Sequence, residues 1–418
     1  MNRSDALPGV PPAARQPRPI QAAVLLVTSG LTTLATAVLG PSLPKMQAHF
    51  AAVPSVDYIV PLTMTSPMLM MALLSIVAGG LADRFGRKRL LVGSTALYAL
   101  FGTAPLWLDS LQTIFASRIL LGVTEAFLMT ISTTMIGDYY EGVRRQRYIV
   151  LQTTVASGSA LVLNLLGGAM GELGWRAPYV VYVVSVPLAL LMARFLWEPE
   201  PRRPDTTEPA GEGAEKPLQL GLLAGICVVG FFVGLVFLIV PVHLAYLFEA
   251  LGVHSSAAIG VAAGLNSLGV VTGTLCFGWL IGPRLPVSGQ LALAAALTGL
   301  GFVAMGLADS YVALTAAAIA NGFGAGLLLP TAVSWNLRDL PFAHRGFGVG
   351  AFQSCQFFGM FANPFVVVSL ERSLGTRAAA VVVVGLALIA TAFGAMIVSV
   401  RGRRAAQSAA RPRMSRAP

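Results

Sequence analysis

Two ionisable residues stand in an otherwise apolar stretch, and their types and spacing could support proton chemistry. Arg118 and Glu125 both lie in residues 112–137, on one face of a helix and roughly 10 Å apart along its axis. A charge at the centre of a membrane helix costs about 2.5–3.5 kcal/mol, so it normally has a task or a partner. We therefore expect Glu125 to couple protons or recognise a cation, with Arg118 as the second candidate. The alternatives are a protonated or hydrogen-bonded structural Glu125 and an Arg118 that reaches the outer surface.

Six further polar residues in apolar stretches form a weaker set of candidates for contact with a solute. Amides in membrane bundles more often join helices than bind a ligand. A His in the membrane could titrate near neutral pH, although a structural role is more common. Gln353 and Gln356 are three positions apart and share a helix face, which slightly favours that pair. The set comprises Asn164, His243, Asn266, Asn321, Gln353 and Gln356.

The most specific motif is the segment GGLADRFGRKRLL, residues 79–91. Gly79 allows close helix packing, Asp83 ends a helix and Gly86 permits a tight turn. The basic residues around this turn hold it on the cytoplasmic side of a membrane. A loop that only fixed the membrane topology would need basic charge alone. This motif also has its glycines and its aspartate at specific positions. The motif residues are Gly79, Asp83, Arg84, Gly86, Arg87 and Lys88.

The elements that must position these residues are membrane helices. Hydrophobic types make up 56% of the 418 residues and charged types 11%, whereas soluble proteins have about 25% charged residues. This excludes an ordinary soluble enzyme. A spanning helix needs about 20 apolar residues, and twelve segments qualify: 20–44, 57–82, 89–108, 112–137, 148–171, 177–197, 218–247, 256–282, 286–307, 311–336, 347–370 and 376–400.

Polar flanks divide the chain into two groups of six segments. We expect two helical bundles, at 20–197 and 218–400, joined by a flexible linker at 198–217. A disordered tail at 1–19 precedes them, and a basic tail at 401–418 follows them. Most Lys and Arg residues fall on one side of the membrane, which predicts that both termini are cytoplasmic. The net charge of +10 then reflects membrane topology and does not indicate nucleic-acid binding.

An internal repeat supports the division into two bundles. Residues 116–131 overlay 316–331, and residues 79–81 overlay 278–280 at nearly the same offset. Transporters commonly use such repeats to form a site between two rocking halves.

The motif at 79–91 resembles the signature of the major facilitator superfamily of secondary transporters. The resemblance implies an all-α fold of twelve transmembrane helices in two pseudo-symmetric six-helix bundles. It also implies that Asp83 and the basic residues after it gate the cytoplasmic face against helix 11. Arg118 and Gly122 match the family motif of helix 4, although Leu121 departs from it. Of the helix 5 motif that marks many antiporters, only the pair Gly167–Gly168 is present.

The expected function is secondary active transport of a small organic solute by alternating access. Proton-coupled efflux of drugs or metabolites is the leading hypothesis, and proton-coupled uptake by a symporter is the alternative. A polytopic membrane enzyme is a remote alternative, because clustered metal-binding or nucleophilic residues are missing from the sequence. We expect a bacterial inner-membrane protein whose partners are its solute, protons and lipid, with no cofactor, metal or nucleic acid.

Overall fold

The computed structural model describes residues 17–199, 220–340 and 345–410. Most of the predicted N-terminal tail and linker, and the end of the basic tail, lie outside these residues. The described chain forms fourteen α-helices: α1 (Pro19–Ala37), α2 (Leu43–His49), α3 (Val56–Phe85), α4 (Arg87–Thr103), α5 (Leu111–Tyr139), α6 (Gly142–Glu172), α7 (Ser185–Phe195), α8 (Leu220–Phe237), α9 (Ile239–Ala250), α10 (Ser256–Cys276), α11 (Val287–Gly306), α12 (Tyr311–Asp339), α13 (Arg345–Leu374) and α14 (Arg377–Ala410).

Some apolar segments fold as more than one helical piece. A 3-10 turn at Gly40–Ser42 joins α1 to α2, and the chain is again interrupted at Leu238 between α8 and α9. A 3-10 stretch at Ala177–Val184 precedes α7, and a π-helical turn at Phe277–Ile281 follows α10. Each break lies within a segment that was predicted as a single span.

Ten helical stretches of the described chain are long and apolar enough to cross a membrane. The predicted segments 89–108 and 347–370 correspond to α4 and α13, which are not among these ten. α4 has only 17 residues and begins with three basic ones, while α13 carries several amides. The predicted all-α membrane fold is confirmed, because the described residues outside these helices are turns and short connections.

The two most extensive sets of contacts between the first half of the chain (17–199) and the second half (220–410) each join a pair of long helices. α6 packs against α10, and α3 packs against α13. The α6–α10 crossing is tight because it lacks side chains: a Cβ added to Gly168 would lie 2.6 Å from the carbonyl oxygen of Ser256 and 2.8 Å from the Cα of Gly260. Of the glycine pair that remains from the helix 5 motif, Gly168 therefore lies where the halves approach each other, while Gly167 packs against the backbone of Val38 in the first half.

The contacts that join the two halves differ between the two ends of the helices. We call the end that carries the Gly86 turn the motif face and the opposite end the far face. On the far face, Arg372 forms an ion pair with Asp57 at 2.7 Å, and Tyr58 and Ser369 hydrogen-bond at 3.1 Å. Both contacts join the two halves, so the far face is closed.

A second tie on the far face centres on Glu172 at the end of α6. Its carboxylate accepts hydrogen bonds from the Ser255 hydroxyl at 2.6 Å and from the backbone N–H of Ala257 at 2.9 Å. Lys45 of the first half adds an ion pair to the same carboxylate at 3.2 Å. A carboxylate from one half thus caps the first turn of α10 in the other half, where the helix dipole favours negative charge.

Candidate functional site

A cavity of about 350 Å³ lies between the two halves at mid-depth. The first half contributes walls from α1, α3, α5 and α6, and the second half contributes walls from α8, α9, α10, α12 and α13. Its apolar surface includes Met68, Met71, Met129, Phe357 and Met360. Methionine and aromatic walls of this kind adapt to varied apolar shapes.

Five of the six weaker candidates line this cavity: Asn164, Asn266, Asn321, Gln353 and Gln356. Gln353 and Gln356, predicted to share a face, both line the cavity. Among the described residues that line it there is no Lys, Arg, His, Asp or Glu. The cavity wall is therefore polar without being charged.

The remaining weaker candidate, His243, lies in a buried contact between α9 and α13. Its Nε2 lies 3.0 Å from the Oδ1 of Asn363, and the Nδ2 of Asn363 donates to the carbonyl oxygen of Leu235 at 2.8 Å. Because that amide nitrogen already donates to a carbonyl, Oδ1 must accept, and the Nε2 of His243 donates. The arrangement favours a structural role for His243.

Arg118 and Glu125 are completely buried within the first half and are not among the residues that line the cavity. The guanidinium of Arg118 donates to the carbonyl oxygens of Phe101 and Gly102 near the end of α4. It also lies over the rings of Tyr179 and Tyr182, with its central carbon 5.1 and 5.3 Å from their centroids. Arg118 thus stays inside the protein, held by carbonyl dipoles and aromatic faces.

The carboxylate of Glu125 is unusual because it is buried without a hydrogen bond. Neither of its oxygens has a partner within the described chain. The positive charge of Arg118 acts on it, and Tyr98 is close by. The hydroxyl proton of Tyr98, however, is donated to the carbonyl oxygen of Leu31 at 2.6 Å. A protonated Glu125 could donate to the free lone pair of Tyr98, whereas an ionised one would depend on Arg118.

The motif turn is held by the predicted Asp83 and by two carboxylates that sequence reasoning missed, Asp138 and Glu198. Gly86 has φ +95°, a backbone conformation that suits glycine. The Arg87 side chain pairs with Asp83 at 2.7 Å and also with Asp138 at the end of α5. Glu198 accepts the backbone N–H groups of Arg87 and Lys88 and so caps the start of α4. These partners all belong to the first half, so the ion pairs described for Arg87 do not cross to α13.

Of the other motif residues, Gly79 lies in the last part of α3 opposite α5, with the Thr130 methyl carbon 3.9 Å from the position of an added Cβ. The Arg84 side chain is exposed and lies over the ring of Phe85. Asp138 and Glu198 are far from the motif in sequence. The one feature of the sequence that could have pointed to these two carboxylates is that each directly follows a predicted helix.

The sequence of this chain is similar to those of known transport proteins. A family model described as "Major Facilitator Superfamily" matches residues 25–281. The chain is 30% identical to the "3-(3-hydroxy-phenyl)propionate transporter" of Escherichia coli K12, over 72% of this chain and 75% of that protein. It is 32% identical to the "Cephamycin export protein CmcT" of Amycolatopsis lactamdurans, over 41% of this chain and 35% of that protein. It is 30% identical to the "Multidrug efflux pump LfrA" of Mycolicibacterium smegmatis, over 48% of this chain and 40% of that protein.

Solved structures share the fold at low sequence identity. A bacterial homologue of the human lysosomal transporter Spinster, in an inward-facing and occupied conformation, superposes with a TM-score of 0.70 at 15% identity, covering 96% of this chain and all of that chain. A POT family transporter with 5-aminolevulinic acid superposes with a TM-score of 0.69 at 13% identity, covering 91% of this chain and 96% of that chain. The family match, the relative that spans most of the chain and the shared fold lead to one conclusion: this chain belongs to the Major Facilitator Superfamily and is a secondary transporter.

Proposed function

We propose that this transporter exports a small organic solute in exchange for protons, by alternating access of two six-helix bundles at 20–197 and 218–400. The observation that carries this proposal is the buried carboxylate of Glu125, which lies beside Arg118 and Tyr98 but forms no hydrogen bond of normal geometry with a described residue. A carboxyl group that lacks hydrogen bonds in the membrane interior is suited to gain and lose a proton during a cycle.

The proposed orientation puts the motif face and both termini in the cytoplasm of a bacterial inner membrane. The basic residues of the turn at 84–89 support this orientation through the positive-inside rule. The far face is then extracellular. Because its ties between the halves are formed, while the described Arg87 ion pairs stay within the first half, the contacts fit an inward-facing state.

Proton coupling would act through the inside of the first bundle, because Glu125 lies behind the cavity wall. Loss of its proton leaves a buried anion whose nearest cation is Arg118, which also holds the carbonyl groups at the end of α4. The ionised carboxylate would attract Arg118 more strongly than the protonated one. This attraction would weaken the hydrogen bonds from Arg118 to the carbonyl groups of α4. Protonation would thereby bias how α4 and α5 pack, and so bias the bundle between its two positions.

Export is favoured by the names of several relatives. They include an export protein, a multidrug efflux pump and a tetracycline resistance protein, each of which matches less than half of this chain. The relatives named here are transporters, which favours transport over a polytopic membrane enzyme. Uptake is the second candidate, because the relative that spans most of the chain is named as a transporter of 3-(3-hydroxyphenyl)propionate, and that name states no export role.

Everted membrane vesicles would separate export from uptake. The panel takes its solutes from the names of similar proteins: tetracycline, niacin, a quinolone and 3-(3-hydroxyphenyl)propionate. Each is tested with and without a protonophore, and vesicles that lack the protein are the control. Export predicts accumulation that requires the proton gradient. Accumulation only in right-side-out vesicles would support uptake and overturn the proposed direction.

A further inference from the structure

The hydroxyl group of Tyr98 lies near two acceptors that belong to different helices. Tyr98 is part of α4 and is completely buried, and its hydroxyl donates to the carbonyl oxygen of Leu31 in α1 at 2.6 Å. The carboxyl of Glu125 in α5 is close enough to interact with the same hydroxyl, although neither of its oxygens forms a hydrogen bond of normal geometry. A tyrosine hydroxyl has one proton, so it can serve only one of these acceptors at a time.

The charge on Glu125 decides which acceptor is the stronger one. A protonated carboxyl group can donate its own proton to a lone pair of the Tyr98 oxygen, which leaves the hydrogen bond from Tyr98 to Leu31 in place. An ionised carboxylate only accepts, and a hydrogen bond to a charged acceptor is roughly twice as strong as one to a neutral carbonyl group. Loss of the proton from Glu125 therefore draws the Tyr98 hydroxyl away from Leu31.

The other ionisable groups near Glu125 are Arg118 on the same helix and Tyr182, whose ring packs against Arg118. α1 has no ionisable side chain, and those of α3 and α6, like the remaining ones of α4 and α5, lie toward the helix ends. The Tyr182 hydroxyl has no hydrogen-bond partner among the described residues, so a new bond from it to Glu125 would release no other helix. Of these groups, only Tyr98 would give up a contact with α1.

α1 connects this exchange of acceptors to the cavity. Glu125 and Tyr98 are not among the residues that line the cavity, so a proton on Glu125 needs an intermediary to affect the solute. Leu31 directly precedes Thr32 in α1, and Thr32, like the nearby Thr33 and Thr36, lines the cavity. The hydrogen bond from Tyr98 therefore holds α1 from behind the cavity wall.

We propose that Tyr98 is a hydrogen-bond switch that donates to Leu31 while Glu125 is protonated and to Glu125 once that carboxyl is ionised. This inference rests on the proposed proton coupling and names the positioning residue that carries the proton signal to the cavity wall. The structure, in which Tyr98 holds Leu31, corresponds to the protonated position of the switch.

Infrared difference spectra of the purified full-length protein test the switch without any transport. The C=O stretching band of protonated Glu125, identified by its loss in Glu125→Gln, shows when the carboxyl ionises. With isotope-labelled tyrosine, the C–O stretching band of the phenol reports the acceptor of its proton. Between about pH 5 and about pH 9, below the range in which tyrosine ionises, the tyrosine band of wild-type protein should shift together with the Glu125 band. The tyrosine shift should be absent from Glu125→Gln and from Tyr98→Phe.

Tyr139→Phe is the matched control for Tyr98→Phe. Tyr139 is a buried tyrosine of the first half, and its hydroxyl donates to the carbonyl oxygen of Trp197, also at 2.6 Å. This variant should keep the pH-dependent shift of the tyrosine band. In proteoliposomes, Tyr98→Phe should lower solute-driven proton flux about two- to tenfold, the worth of one hydrogen bond. Exchange of labelled for unlabelled solute should continue in Tyr98→Phe, and Tyr139→Phe should leave both rates unchanged.

A wild-type tyrosine band that does not move while Glu125 ionises would overturn the switch, whether or not the variants fold. A band shift or a wild-type proton flux that persists in Tyr98→Phe would overturn the assignment to this residue. A Glu125 that stays protonated throughout the pH range would overturn both the switch and the proposed coupling. Proton flux that survives Glu125→Gln would overturn the proposed coupling alone, because the spectra report the switch independently of transport.

Discussion

Adding one methyl group at Gly168 should prevent the far face from closing. In the structure, the Cβ of an alanine at this position would lie 2.6 Å from the carbonyl oxygen of Ser256, whereas ordinary van der Waals contact begins at 3.4 Å. α10 would therefore have to retreat by about 0.8 Å. The obstructing atoms belong to the backbone of the other half, so no side chain can rotate away to relieve the clash.

The size of the effect follows from the cost of overpacking. Inserting a methyl group into a well-packed contact costs about 1–3 kcal/mol. We expect Gly168 and α10 to separate when the far face opens, so this cost falls on the closed state alone. Since each 1.4 kcal/mol is a factor of ten, we expect the population ratio to shift by about 5- to 150-fold toward the state that is open at the far face.

Distances between spin labels on the far face would measure this shift. Ala51→Cys in the first half and Asp309→Cys in the second half provide two exposed attachment sites, in a background from which the three native cysteines have been removed. Gly168→Ala should move the distribution toward longer separations.

The control is Gly158→Ala, in the same helix. An added Cβ at Gly158 meets no described atom within 4 Å, and the gain in helix propensity is the same at both positions. Gly158→Ala should leave the distances unchanged. If Gly168→Ala also leaves them unchanged, the tight crossing does not govern closure and the reasoning is refuted.

Two further predictions concern the ion pairs at the two faces. Asp57→Asn removes the partner of Arg372 across the halves and should shift the same label distances toward the open far face by less than about tenfold, because the pair is partly exposed; Asp109→Asn breaks a far-face pair within one half and should shift nothing. An equal response to both variants would contradict the role of the cross-half tie. Asp138→Asn removes a partner of Arg87, worth about 1 kcal/mol for a partly exposed pair, and should speed tryptic cleavage at the motif turn in everted vesicles about fivefold. An unchanged cleavage rate would count against the pair as an anchor of the turn.

The helices could be predicted because lipid requires long apolar segments, but their interruptions could not. The break at Gly40–Ser42 and the break at Leu238 arise where α1 and α9 approach each other, and the backbone of Pro241 lies against Gly40 there. Hydropathy along the chain carries no information about such tertiary contacts. Helix periodicity can place two residues on a shared face without showing which neighbour that face meets.

The candidate site illustrates the same limit. Amides such as Asn321 and Gln356 stood out because polar groups are rare in apolar segments, and they line the cavity. Asn363 carried the same signal and was overlooked, although it holds His243. Neither the position of Glu125 behind the cavity wall nor the pairing of Asp138 with Arg87 could be deduced, since each depends on how separate helices pack.

The central claim is that Glu125 carries the coupling proton, and proton flux in proteoliposomes tests it most directly. Wild-type protein, reconstituted with a pH-sensitive dye in the lumen, should move protons when a gradient of tetracycline, or of whichever panel solute it transports, is applied. In Glu125→Gln, this proton movement should vanish, while exchange of labelled for unlabelled solute continues, because the cavity does not include Glu125. Solute-driven proton flux that persists at the wild-type rate in Glu125→Gln would contradict the claim.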